Sequence, residues 1–280
     1  MSKRVFPDLI HARWSLNTCI CVGLDTEREK LPRCMSKLMI QDSILTFNRR
    51  IIDATHDLVC AYKINSAFYE QHGIEGMRAL MRTIEYIRQE APEIPVILDA
   101  KRGDIGNSSA AYAKSAFDVY KADAVTVNPL LGRDAIQPFL DYANKGIFIL
   151  CHTSNPDSNE FQDLVIEGSP LYQTIAEHVV NRWNTNNNCG LVVGATFPEQ
   201  LFHVRQIARD MPILIPAIGT QGGNLEQTIH AGINSQKNGV IINVSRSVIF
   251  ASQDDDFDQA ARNETLRVHD QVNCYISTIR

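Results

Sequence analysis

Short apolar runs bounded by turn residues recur along the whole chain, separated by stretches with helical spacing. The first four are CICVGLD ending at Asp25, LVCAYKIN at Asn65, PVILDAK at Lys101 and AVTVNP at Pro129. Four more follow: GIFILCHTS ending at Ser154, GLVVGAT at Thr196, PILIPAIG at Gly219 and GVIINVSRS at Ser247. Between them, SILTFNRRIIDATHD, IEGMRALMRTIEYIRQ and LYQTIAEHVVNRWN repeat apolar residues three and four apart, the stripe of an amphipathic helix. Eight strands alternating with helices predict a parallel sheet, and eight is the number that closes a (β/α)8 TIM barrel of the α/β class. The alternative is an open doubly wound sheet. That fold usually carries a glycine-rich loop after its first strand, and CVGLDTERE is not one.

No linker, low-complexity segment or internal repeat interrupts the series, so residues 1–280 are expected to form a single domain. The polar NTNNN at 184–188 reads as a helix-to-strand loop, and the acidic QDDDFDQ as the solvated flank of a C-terminal helical tail over about 252–280.

Polar residues fall where the strands end. Alternate residues of a strand point to opposite faces. In PVILDAK, Val96, Leu98 and Ala100 share one face, while Ile97, Asp99 and Lys101 share the other. With the aliphatic face turned to the helices, Asp99 and Lys101 point into the C-terminal mouth. Asp25 closes the first strand, Lys63 nearly closes the second, and Asp104 lies just beyond the third. An ion-pair network capping the barrel would also place charges there. Convergence of charge from three successive strand ends favours an active site, because that face is where barrel enzymes hold their chemistry.

A second feature follows the last two strands. Gly219, Gly222 and Gly223 permit close backbone approach ahead of a helix start, and Arg246 leaves the eighth strand with a guanidinium suited to phosphate. Together they predict a phosphate site at the loops after strands seven and eight, with Gln221 as a side-chain clamp on a lid.

Composition narrows the classes. Hydrophobic residues at 44% and charged residues at 21% fit a globular domain. A net charge of −5 argues against broad nucleic-acid binding while leaving room for a local anion site. No apolar run reaches the ~18 residues of a membrane span, and the N-terminal MSKRVFPDLIHARW lacks the apolar core of a secretory signal, so a cytoplasmic location is expected. Cysteines at 19, 21, 34, 60, 151, 189 and 274 are too scattered for a disulfide framework or a zinc site and are expected to be reduced and mostly buried. The histidines show no paired metal-ligand spacing.

In order along the chain, DAKRGD, IGNSS, TSNPDS, GTQGG and NVSRS resemble the orotidine 5′-phosphate decarboxylase family, in the bacterial branch with Asp-Ala-Lys-Arg-Gly-Asp at the third strand. The similarity runs from Asp25 to about Phe250. The Asp-x-Lys-x-x-Asp core is shared with a wider suprafamily; LDAKRGDIGN together with TSNP is far more specific. The resemblance implies conversion of orotidine 5′-phosphate to UMP and carbon dioxide, in pyrimidine synthesis de novo, with no metal or organic cofactor. It implies that Lys101 protonates C6 of the pyrimidine, with Asp99 and Asp104 flanking it. It implies a homodimer in which Asp104, Ile105 and Ser108 reach the partner's site. Asp25 and Lys63 would meet the ribose, Ser154 the pyrimidine amide edge, and Gln221, Ser245 and Arg246 the phosphate. Two positions depart from the family's pattern: Ala217 stands where glycine usually follows proline, and Asp157 where SNPG is common. The alternatives are a magnesium-dependent sugar-phosphate aldolase or decarboxylase of the same suprafamily, and a non-catalytic nucleotide-phosphate-binding barrel. The magnesium enzymes typically carry an acidic ligand on strand two, where this chain has Lys63; a non-catalytic barrel would be expected to have lost Lys101 or a flanking aspartate.

Overall fold

Every one of the eight apolar runs forms a strand, in each case ending at or shortly before the polar residues that follow it. In the computed structural model, which describes residues 4–35, 37–218 and 224–279, the barrel strands are Ile20–Gly23, Ala61–Asn65, Val96–Arg102, Ala124–Val127, Gly146–His152, Cys189–Val193, Ile213–Ile215 and Val240–Val244. All neighbours pair in parallel, and the eighth strand closes on the first through Cys21 opposite Asn243 and Val22 opposite Val244. These strands are rich in Val and Ile and buried almost throughout, as a sheet covered on both faces requires. Helices cross from strand to strand outside it, including Ile40–Thr55, Gly73–Glu90, Pro198–Ala208 and Leu225–Gly232.

Two glycines admit the aromatic packing at the base of the barrel. A Cβ at Gly146 would come within 2.5 Å of the Phe6 ring, and one at Gly190 within 2.5 Å of Phe148. Phe6 and Phe148 meet edge-on at 5.6 Å, so the helix Phe6–Trp14 plugs the end away from the charged mouth. Trp14 fastens that plug by donating its indole N–H to the carbonyl of Val240 at 2.9 Å. Each large side chain buried here stabilises the closed end by about 1.5–3 kcal/mol.

The helix Phe257–Thr278 lies against Ile40–Thr55, with Phe257 stacked on Phe47 at 5.0 Å and Arg262 paired to Asp57 at 2.7 Å. Two elements were not expected from the sequence: the plug helix, and a short antiparallel pair, Val165–Ile166 with Ser169–Pro170, in the excursion after strand five. Both are too short or too weakly patterned to register as periodicity. The seven cysteines are all free thiols; Cys34 and Cys274 are exposed and the other five buried.

Candidate active site

Four charged residues at the ends of the first three strands meet in one array. Lys63, on strand two and 3% exposed, holds its ammonium 3.3 Å from Asp25 Oδ1 and 3.3 Å from Asp99 Oδ2. Lys101 donates to the other oxygen of Asp99 at 2.7 Å. Carboxylate and ammonium therefore alternate: Asp25, Lys63, Asp99, Lys101. The barrel register sets this order, since Gly23 pairs with Lys63 and Asn65 with Asp99, bringing three strand ends to one level.

Burial opposes ionisation of Asp99. The ammonium groups of Lys63 and then Lys101, with hydrogen bonds from Lys101 and Thr126, outweigh it and hold the carboxyl down at about 2. For Lys63 burial likewise works against the charge, and the carboxylates of Asp25 and Asp99 more than restore it, leaving the ammonium above the ordinary lysine range. Both groups are thus ionised at neutral pH.

Strand three does not reach Lys101 by regular pleating. Its register against strand four shifts between Leu98 and Arg102, and Lys101 adopts φ +47°, a left-handed conformation uncommon outside glycine. The backbone N–H of Lys101 donates to Thr126 Oγ1 at 2.9 Å, and that hydroxyl donates to Asp99 Oδ1 at 2.8 Å. One threonine thus anchors both the strained residue and its carboxylate partner. Thr126 was not among the residues singled out from the sequence, where AVTV reads as strand filler; the same alternation that turned Asp99 inward would have found it.

The array opens into a cavity of about 340 Å3 at the C-terminal mouth. Asp25, Lys63, Asp99, Lys101, Ser154, Ser245 and Arg246 all line it, with Asn65, Thr153, Asn243 and an apolar wall of Leu150, Val192, Leu214, Pro216 and Ile218. Arg246 is exposed and makes no ion pair with any described residue. The Ser245 hydroxyl, expected toward a phosphate, lies 2.8 Å from Asp25 Oδ2 and 2.9 Å from the carbonyl of Gly23, so its single proton is engaged within the array. Gln221 and the glycines at 219, 222 and 223 lie outside the described residues.

Three expected site residues are not in this cavity. Asp104, Ile105 and Ser108 follow strand three but do not line the cavity. Asp104 accepts the backbone N–H of Ile105 at 2.8 Å and forms no ion pair with a described residue, so within one chain Lys101 has one carboxylate flank rather than two.

Ala217 has φ +78°, a region that suits glycine and strains an alanine. The glycine that the family resemblance leads one to expect here would adopt this conformation without that strain. Asp157 sits in the short helical turn Pro156–Ser158 directly after Ser154.

A closed parallel barrel whose C-terminal mouth carries a carboxylate–ammonium array, with an exposed guanidinium just after the neighbouring strand eight that pairs with no described carboxylate, defines a TIM-barrel enzyme acting on a small anionic substrate. The chain belongs to the orotidine 5′-phosphate decarboxylase / HUMPS family, whose sequence profile matches residues 18–262. It is 49% identical over 259 residues to an orotidine 5′-phosphate decarboxylase of Cellvibrio japonicus, covering 92% of this chain and 94% of that protein. A Cupriavidus metallidurans protein of the same name is 48% identical over 271 residues, covering 96% and 98%. Among solved structures, the OMP decarboxylase of Leishmania donovani superposes with a TM-score of 0.84 at 37% identity, covering 98% of this chain and 100% of that one.

Proposed function

We propose that this chain decarboxylates orotidine 5′-phosphate to UMP and carbon dioxide, in pyrimidine biosynthesis, without a metal or organic cofactor. Its relatives carry that name over nearly their full length. The observation that carries the mechanism is the alternating array ending in Lys101, whose side chain is 45% exposed against 4% for Lys63, so that it is the more accessible of the array's two ammonium groups while fixed to a carboxylate.

Loss of carbon dioxide from C6 leaves a carbanion with little resonance support, and an enzyme must lower such a barrier by about 20 kcal/mol or more. The Lys101 ammonium, held 2.7 Å from Asp99, is preorganised to stabilise that charge and then donate its proton to C6. Asp99, kept ionised, would repel the substrate carboxylate by about 4 kcal/mol at 4 Å and an effective dielectric of 20. That repulsion vanishes as carbon dioxide departs, but it is small beside the whole barrier, so stabilisation of the carbanion carries most of the effect.

Asp25 and Lys63 are assigned to the ribose hydroxyls, Ser154 to the amide edge of the base, and Arg246, with Gln221 and the backbone around Ser245, to the phosphate. Lys63 stands between Asp25 and Asp99, where a divalent cation would otherwise bridge two carboxylates, which supports the metal-independent reading over the magnesium enzymes of the suprafamily.

The active form is proposed to be a homodimer. Asp104 and Ser108 do not line their own cavity, and the loops after strands three and four expose Ile105, Leu130 and Leu131 at 60%, 77% and 51%. A second copy covering these apolar residues would bring its Asp104 to the open side of Lys101. No described helix is long and apolar enough to cross a membrane, and a cytoplasmic setting is the proposed one.

The test is the absorbance change of orotidine 5′-phosphate with purified protein in excess EDTA. Turnover is expected to survive EDTA and to fall by several orders of magnitude in Lys101→Ala with the fold intact. Turnover that requires added magnesium, or none with this substrate, refutes the proposal.

A further inference from the structure

Resting on the decarboxylase reading above, we infer that His152, Gln162 and Asp163 are positioning residues: they latch the excursion after strand five onto the strand end and so fix Ser154 against the base. His152, the last residue of strand five, is fully buried yet lines no part of the cavity. Its Nε2 lies 3.1 Å from Asp163 Oδ1, while its Nδ1 is buried without a described hydrogen-bond partner between the edge-on rings of Tyr172 and Phe197. A carboxylate can only accept, so the ring carries its proton on Nε2 and donates it to Asp163. A polar ring in an apolar box gains little for packing; the bond to Asp163 is what it supplies.

The adjacent residue repeats the tie. The backbone N–H of Thr153 donates to Gln162 Oε1 at 2.7 Å, and Gln162 Nε2 donates to Thr153 Oγ1 at 2.9 Å. A backbone donor must meet an acceptor, so this is the amide orientation that satisfies both bonds. The Thr153 hydroxyl then passes its own proton to Asn155 Oδ1 at 2.7 Å. Residues 162 and 163 therefore fold back on residues 152 and 153, closing the excursion into a loop whose root is Ser154.

The other side of Ser154 is fixed as well. Thr196 donates its hydroxyl to the Ser154 carbonyl at 3.2 Å, and a Cβ at Gly194 would fall within 2.6 Å of Ser154 Cα. With strand six tight on one side and the latch on the other, Ser154 has little freedom to move. Arg246 lies across the mouth, three strands away in the barrel order, and shares none of these bonds.

That separation sets the experiment. Binding of UMP and of ribose 5-phosphate is measured by titration calorimetry for the wild type, Asp163→Ala, Gln162→Ala and Asp163→Asn. Asp163→Ala and Gln162→Ala are each expected to weaken UMP by about tenfold and leave ribose 5-phosphate unchanged. Asp163→Asn keeps an oxygen that accepts the Nε2 proton and is expected to bind UMP within about twofold of the wild type. Equal losses for both ligands, or none for UMP in both alanine variants, overturns the latch. If Asp163→Ala fails to fold, Gln162→Ala decides the matter alone. A wild-type chain that binds no UMP at all overturns the decarboxylase reading first, and the latch with it.

Discussion

Replacing Lys63 by methionine keeps most of the side-chain volume and removes the ammonium that sits 3.3 Å from both Asp25 and Asp99. A buried carboxylate, Asp99, and a part-buried one, Asp25, are then left without the cation between them. Removing one partner of a buried ion pair costs about 3–5 kcal/mol, a large part of the 5–15 kcal/mol typical of a folded domain. The loss should depend on pH in a defined direction. In the wild type, Asp99 is depressed from 3.8 to about 2, so its pairing contributes stability that is present above the unfolded value and lost as pH falls toward 2. That contribution is roughly 2–3 kcal/mol. Lys63 is the strongest of the influences that oppose burial, so without it the folded-state value is expected to rise above the unfolded one. Acidification then relieves the variant rather than harming it. Urea unfolding between pH 4 and pH 8 is the assay. The gap between wild type and Lys63→Met should be widest at pH 8 and narrow toward pH 4. A gap below about 1 kcal/mol that does not vary with pH would refute the claim that this ammonium holds the array together.

Other expectations follow from single contacts. Thr126→Val keeps the shape but removes the anchor for Lys101 N and the donor to Asp99, so kcat should fall about tenfold with KM little changed, read by steady-state kinetics. Ala217→Gly relieves a residue at φ +78° and should raise stability by up to ~1 kcal/mol in urea unfolding, strain relief exceeding the added freedom of the unfolded chain. Mixing inactive Asp104→Ala and Lys101→Ala protomers should recover activity through hybrid dimers holding one intact site. No recovery after demonstrated subunit exchange counts against a shared site.

The eight barrel strands and the helices between them were legible in the chain because a strand buried on both faces must be an apolar run of that length, and helices between such runs must carry one apolar stripe. The alternation of Ile97, Asp99 and Lys101 likewise told which charges turn inward. Local pattern ends there, because it says nothing about what a side chain meets from a distant strand. Which oxygen of Asp99 meets which lysine depended on the register of strands one to three around a closed barrel. The left-handed turn at Lys101 came from a mismatch with strand four, and Thr126 gained its part only by lying across that mismatch. Ser245 reads from sequence as a free hydroxyl beside an arginine, and only closure of strand eight on strand one spends it on Asp25. Asp104 sits three residues beyond Lys101 in the chain yet forms no ion pair with it and does not line the cavity, since proximity in sequence fixes distance along the backbone but not direction once the strand has ended.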